Sequence, residues 1–233
     1  ELGCKPGDRI AVLAANIPEH LKIMYAVSWA GCILVPLNTR LTATEIAWIV
    51  SDSESSVLIS DKRNSELAES ITSTVDTVIH TIQLENGAYG QYSINNIISK
   101  APSPAWLASG QDIAALYYTG GTTGKPKGVM VSNESLVIQT LNLIQDLNIG
   151  ANTRVLHAPP IFHLAGAGVA HACTFSGANQ VFYPDFNPQG YLAEVQRVKA
   201  SFISLVPTMI SDIFNTTNIR QLLSSVNTLV YGA

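Results

Sequence analysis

Residues 117–128 read Y-Y-T-G-G-T-T-G-K-P-K-G, twelve residues with four glycines, three threonines and two lysines, directly after the apolar residues 113–116. Gly120, Gly121 and Gly124 let the backbone take positive φ and come close to a ligand. Thr119, Thr122 and Thr123 add hydroxyl groups, and Lys125 and Lys127 add positive charge. Consecutive exposed N–H groups in such a turn form an anion-binding concavity. The ligand that matches so many donors and two cations is a polyphosphate. A bland hairpin would not need to concentrate glycine, hydroxyl and lysine in one place.

The commonest nucleotide loop, G-x-x-x-x-G-K-[ST], does not fit this stretch. Counting back from Gly124 and Lys125 puts its first glycine at Thr119, and Pro126 stands where a Ser or Thr would hold Mg2+. Proline has no N–H to donate and biases the preceding Lys125 towards extended backbone. The loop is therefore expected to lead into an extended segment at residues 128–131 and not into a helix. A P-loop kinase or GTPase conflicts with these features, and a G-x-G-x-x-G dinucleotide fingerprint is absent here.

A second chemical segment is H-A-P-P-I-F-H-L-A-G at residues 157–166. A strand ends in two prolines, and Phe162 and His163 then stand at the start of a Gly/Ala-rich helix. Ligands of open α/β sheets bind at the carboxyl ends of strands. A histidine here is also explained by a capping role, and it is the phosphate loop upstream that favours a functional one. His171 lies eight residues beyond His163. A helical metal pair needs closer spacing, such as i and i+4, and further ligands. No metal site is expected; His171 reads as packing or solvated, and His157 as structural. His20 and His80 have nothing around them in the sequence to recommend them.

Residues 118–128 resemble [YF]-T-[SG]-G-[ST]-T-G-x-P-K-G, the signature of adenylate-forming enzymes: acyl- and aryl-CoA ligases, luciferases and peptide-synthetase adenylation domains. The match is complete, with Gly120 in the slot that serine often fills. Residues 160–166 resemble the same family's P-[LI]-[FY]-H-x-x-G motif. Residues 2–12 resemble its "LGVKPGDRVAV" entry with Cys4 in place of valine, and residues 35–42 its "VPLNPRLT" with Thr39 in place of the second proline. Residues 229–233 resemble the strand entering its "GAAP" or "GGAP" turn. The resemblance covers residues 2–233 and is least distinctive over 61–110.

The resemblance implies attack of a carboxylate on the α-phosphorus of ATP, then displacement of AMP by a thiol, usually coenzyme A. Thr119, Gly120, Gly121, Thr122, Thr123 and Gly124 would wrap the β- and γ-phosphates, with Lys125 and Lys127 adding field and loop order. Gly232 and Ala233 would begin the adenine-packing turn. Phe162, His163 and Gly166 would form the acyl pocket, with His163 gating or orienting the acyl group and Gly166 lining its tunnel. Thr119, Lys127 and His163 are the catalytic candidates, and Mg2+ accompanies the ATP. Within the family, Pro36, Leu37 and Asn38 together with Phe162 and His163 point to acyl- or aryl-CoA ligases, long-chain fatty acid ligases among them. A peptide-synthetase adenylation domain and a nonenzymatic nucleotide-binding module stay open. The partners are a small carboxylic acid, ATP and coenzyme A, with homodimer formation open.

Short apolar runs alternate with helical patterns along the chain. Strands are expected at 9–14, 33–37, 56–60, 77–82, 113–119, 154–158, 180–183, 202–206 and 228–231. Helices are expected at 18–31, 42–52, 65–74, 133–147, 164–176 and 189–200, with two short ones after 206. Asn16 is a plausible cap for the first helix, Gly31 its end, and Thr42-x-x-Glu45 a capping-box start for the second. Residues 85–93 read as a polar stretch and 101–104 as a loop. This alternation predicts an α/β fold of mostly parallel sheet with helices on both faces. The Gly/Asn/Thr run at 148–153 predicts a seam, giving a first lobe over 1–152 and the start of a second over 153–233. The resemblance agrees with two similar α/β lobes.

Charged residues make up 13% and hydrophobics 47%, which argues against extensive disorder. The net charge of −4 leaves no basic footprint for nucleic acid. Cys4, Cys32 and Cys173 are widely spaced without a C-x-x-C, and read as buried small hydrophobes in a reduced, cytoplasmic setting. No window is apolar and long enough for a membrane span. Both ends read as cut. The expectation is a fragment without the C-terminal lid, inactive by itself.

Overall fold

The structure, a computed structural model, describes residues 2–85, 90–94, 104–120, 124–214 and 218–232. Its described residues fall into two compact units, one made of Glu1–Ala15 with Glu19–Leu136 and one of Asn16–Pro18 with Val137–Ala233.

The first unit is built on a seven-stranded sheet. Its strands are β1 (Arg9–Leu13), β2 (Ile33–Pro36), β3 (Val57–Ser60), β4 (His80–Gln83), β5 (Tyr92–Ser93), β6 (Ile113–Thr119) and β7 (Lys127–Ser132), in the order β5-β4-β3-β1-β2-β6-β7. Every pairing is parallel except β6 with β7. All four residues of β3 and the last four of β1 are buried. Such buried runs, apolar except for Ser60, are what a sheet covered on both faces requires.

The helices α1 (Pro18–Trp29), α2 (Ala43–Asp52) and α3 (Ser65–Thr72) make the crossovers. Gly31 stops α1 in the left-handed region at φ +72, and the Cys32 N–H donates back to the Val27 carbonyl. The capping box that starts α2 is present: the Glu45 N–H donates to Thr42 Oγ1, and the Thr42 N–H donates to Glu45 Oε2 at 2.8 Å. Helix α2 is thereby fixed at its start, with Ile46, Ile49 and Val50 turned into a core that includes Leu13, Leu37 and Leu58.

The second unit has a parallel four-stranded sheet, β11-β10-β8-β9, from β8 (Arg154–His157), β9 (Asn179–Phe182), β10 (Phe202–Leu205) and β11 (Thr228–Tyr231). Helices α5 (Leu164–Ser176) and α6 (Pro188–Val198) connect its first three strands, and α7 (Pro207–Phe214) and α8 (Ile219–Leu222) follow β10. The core gathers Leu156, Tyr191, Leu192, Val195 and Ile203 on one side and Val155, Val169, Cys173 and Phe202 on the other.

The first compact unit ends at Leu136 and the second resumes at Val137, both in helix α4 (Asn133–Asp146). Leu143, Ile144 and Leu147 join the core of Val155, Val169 and Phe202. A Cβ on Gly168 of α5 would stand 3.0 Å from Leu143 Cδ1, so the two helices cross where the side chain is missing. One expectation is corrected: Cys4 is exposed, because the turn at Lys5–Asp8 lies outside the sheet, while Cys32 and Cys173 are buried as expected. Burial raises those two thiols to about 11 and about 12. The 85–93 stretch ends in the edge strand β5, and residues 86–89 and 101–103 lie outside the described residues.

Candidate functional site

Strands β6 and β7 form an antiparallel hairpin, and the Gly/Thr/Lys loop is its turn. Thr119 pairs with Lys127 across the ladder, Tyr118 with Gly128, and Tyr117 with Val129. Thr119 and Lys127 are therefore cross-strand neighbours, the closest side-chain relation a sheet offers. Both are exposed, as are Gly120, Gly124 and Lys125. Gly124 takes φ +99, which a side chain would resist, and neither it nor Gly120 has a neighbour within 4 Å of a Cβ position. The backbone here is open to a ligand. Gly121, Thr122 and Thr123 lie outside the described residues.

The hairpin is tied to helix α2 by an arrangement that the sequence did not signal. The Tyr118 hydroxyl donates to Asp52 Oδ2 at 2.7 Å, and the Tyr118 ring meets Trp48 edge-on, with centroids 6.2 Å apart. Burial first, and then the Asp52 carboxylate, push the Tyr118 phenol upward, so it stays a donor. A Cβ on Gly128 would come to 3.0 Å from Tyr118 Cζ, so glycine opposite tyrosine lets the ring lie across the ladder. Lys125 Nζ stands 5.4 Å from the centroid of the Trp48 ring, within cation–π range.

The second predicted segment lies in the second unit. Strand order puts the topological switch point of its sheet between β8 and β10, because the chain goes from β8 outward to β9 and returns across to β10. Residues 157–160 leave the carboxyl end of β8 there, where open α/β sheets bind ligands. The turn is pinned by Asn16: its Nδ2 donates to the carbonyls of Ala158 and Pro159 at 3.3 and 2.8 Å, and its Oδ1 accepts from the Ile161 N–H at 2.8 Å. Asn16 is thus not the expected helix cap, because its side chain is spent on a segment more than 140 residues away.

His163 is the N-cap residue of α5, but its side chain makes no capping bond, and its ring lies 5.2 Å from that of Phe162. Phe162 is buried and His163 exposed. A Cβ on Gly166 would be 2.3 Å from the Pro160 carbonyl oxygen, so α5 packs directly on the Pro159–Pro160 backbone. Close packing by itself thus accounts for glycine at 166. Gly232 is described, with open space where a Cβ would stand, and Ala233 lies outside the described residues.

The remaining histidines are structural in different ways. His157 is buried, stacked on Phe182 at 4.8 Å, with Nε2 2.9 Å from Gln180 Oε1. Burial lowers its imidazole to about 4, and burial does the same to His20, whose Nδ1 faces the Ala15 carbonyl at 3.2 Å. His171 is half-buried and is lowered to about 4 by the same cause. His80 has partners after all, the Leu2 carbonyl and Gln91 Oε1. Among the described residues no three His, Cys, Asp or Glu side chains gather to hold a metal, and no helix is long and apolar enough to cross a membrane. A pocket of about 260 Å³ beside Cys32, Trp106 and Asn133 adjoins Ile113 and Ala114, at the end of β6 opposite the loop.

The structure thus places Thr119, Gly120, Gly124, Lys125 and Lys127 together at one strand end of a mostly parallel α/β sheet. The chain belongs to the AMP-binding enzyme family, whose model matches residues 1–233. It is 30% identical over 233 residues to a feruloyl-CoA synthase of Amycolatopsis sp, covering 99% of this chain and 45% of that protein. It is 31% identical over 238 residues to a long-chain-fatty-acid–CoA ligase of Thermus thermophilus, covering 99% of this chain and 43% of that one. Among solved structures, the anthranilate CoA ligase AuaEII in complex with anthranoyl-AMP superposes with a TM-score of 0.92 at 25% identity, over 99% of this chain and 46% of that one. The inhibitor-bound N-terminal domain of FACL13 from Mycobacterium tuberculosis gives 0.90 at 26%, over 100% of this chain and 58% of that domain. The chain spans less than half the length of these two curated relatives.

Proposed function

We propose that the full-length protein activates a carboxylic acid with ATP and transfers the acyl group to coenzyme A. The observation that carries this reading is the exposure of Thr119, Gly120, Gly124, Lys125 and Lys127 at the end of the β6–β7 hairpin, in a chain similar to a feruloyl-CoA synthase and a long-chain-fatty-acid–CoA ligase. A carboxylate is a poor electrophile. Its oxygen attacks the α-phosphorus of ATP, the bond to the β-phosphate oxygen breaks, and pyrophosphate leaves with that electron pair. A thiolate sulfur then attacks the acyl carbon, and AMP departs with the oxygen that the carboxylate supplied.

The two substrates of the first step repel each other, so the site must supply donors and positive charge. In this reading the backbone at Thr119, Gly120 and Gly124, with residues 121–123, cradles the β- and γ-phosphates, and Lys125 and Lys127 offset their charge. Phe162 and His163 orient the acyl group, and Gly166 keeps α5 close to the Pro159–Pro160 turn beside it. Gly232 and Ala233 enter the adenine contact. Mg2+ enters this reading as part of the MgATP substrate, bound chiefly by the phosphates and water. Residues 1–233 alone, which span less than half of the relatives' length, bind polyphosphate without turning over. The free thiols of Cys4, Cys32 and Cys173 support a reduced, cytoplasmic setting in this reading.

The test is carboxylate-dependent exchange of labelled pyrophosphate into ATP by the full-length protein, over aryl and fatty acids. Exchange with at least one acid, reduced about a hundredfold by Lys127→Gln, is expected for loss of one charge-stabilising donor. ATP binding without exchange for any acid would turn the reading towards a nonenzymatic nucleotide-binding module.

A further inference from the structure

We propose that Trp48 is a positioning residue for Lys125, so that an uncharged indole on helix α2 forms part of the anion site. This rests on the polyphosphate reading of the loop. Lys125 Nζ lies 5.4 Å from the Trp48 centroid, on the side chain of an exposed residue. A lysine on a glycine-rich turn has a four-carbon stem with many rotamers, and ordering that stem on a ligand costs entropy. An aromatic face that attracts the ammonium removes part of that cost in advance.

The ring is held in place from two directions. On its own helix, Trp48 packs against the core that contains Leu13, Leu37 and Ile49. From the hairpin, Tyr118 meets it at 85°, and Tyr118 is fixed by its bond to Asp52 and by the missing Cβ of Gly128. The hairpin strand that leads into the loop therefore carries one support of the ring, and the loop carries the lysine that rests on it. Lys125 stays exposed, so phosphate oxygens can reach the ammonium while the ring holds it.

The test is a double-mutant cycle read as affinity for tripolyphosphate and for MgATP by calorimetry on the full-length protein. Trp48→Leu is expected to weaken both about two- to fivefold, the worth of an exposed cation–π contact. Trp48→Phe should retain part of that affinity. In a Lys125→Gln background Trp48→Leu should cost nothing further, since the ring acts only through the lysine. Equal losses in both backgrounds would mean that Trp48 merely supports the fold, and would overturn the inference. An NMR measurement needs no Trp48 variant: the Lys125 ε-proton resonance should be shifted upfield by the ring current, and an unshifted resonance overturns the inference even where Trp48→Leu does not fold. Binding by the unaltered protein with no Trp48–Lys125 coupling would sink this inference alone. No binding of either probe would sink the polyphosphate reading with it.

Discussion

At the residue scale, single side chains and single absences set the local geometry. Gly166 is the sharpest case: a methyl group there would press on the backbone oxygen of Pro160, which cannot swing aside as a side chain can. Gly166→Ala should destabilise the protein by about 1–3 kcal/mol, the range for overpacking, seen as a lower urea midpoint. Asn16→Ala would leave the Ile161 N–H and the Pro159 carbonyl without their partner, at a cost of about 1–3 kcal/mol. The role of Asn16 was not legible in the sequence, because its partners are more than 140 residues away and no local pattern marks them. Gly166 was legible as a special position, although the packing that requires glycine was not. The buried histidines make stability depend on pH. His20 and His157 titrate near 4 in the folded chain, against about 6.5 unperturbed. Between those values the unfolded chain binds more protons, so stability is undiminished above about pH 6.5 and falls as pH drops towards 4. Each contributes up to about 1.4 kcal/mol per pH unit. Urea midpoints at pH 7.5 and 5.0 should show the loss, with a smaller pH slope in His157→Gln; a flat profile would contradict the assignment.

At the element scale, strands and helices were legible wherever apolar runs were flanked by caps and glycines. Helix α2 shows why: its start is written in four consecutive residues, and the Thr42–Glu45 box forms as those residues imply. Thr42→Ala should cost about 1 kcal/mol, measured as a lower urea midpoint with unchanged m-value. The β6–β7 hairpin was only half legible. Pro126 signalled an extended exit from the loop, but period and propensity do not state the partner or direction of a strand. Pairing of Thr119 with Lys127 turned an extended segment into the second arm of a hairpin. The tie from Tyr118 to Asp52 was invisible for the same reason, since 66 residues separate the two. Polar composition marked the loop at 148–153, but the packing of Leu143, Ile144 and Leu147 on Val155, Val169 and Phe202 had no local signal.

At the scale of the whole molecule, two α/β units each present a segment at the carboxyl end of a strand, the hairpin turn after β6 in one and residues 157–163 in the other. Family membership was legible from residues 118–128, where glycine, threonine, proline and lysine match the family signature at every position. The acid was not legible: relatives at similar identity are named for a feruloyl and for a long-chain fatty substrate. In the proposed reaction ATP is attacked at its α-phosphorus by the carboxylate itself. The direct measurement is a single turnover of the full-length protein with an acid labelled with oxygen-18 in its carboxylate, with mass analysis of the phosphorus products. One labelled oxygen is predicted in AMP, and none in pyrophosphate. Label in inorganic phosphate with ADP as coproduct would show an acyl phosphate route and rule out adenylate formation.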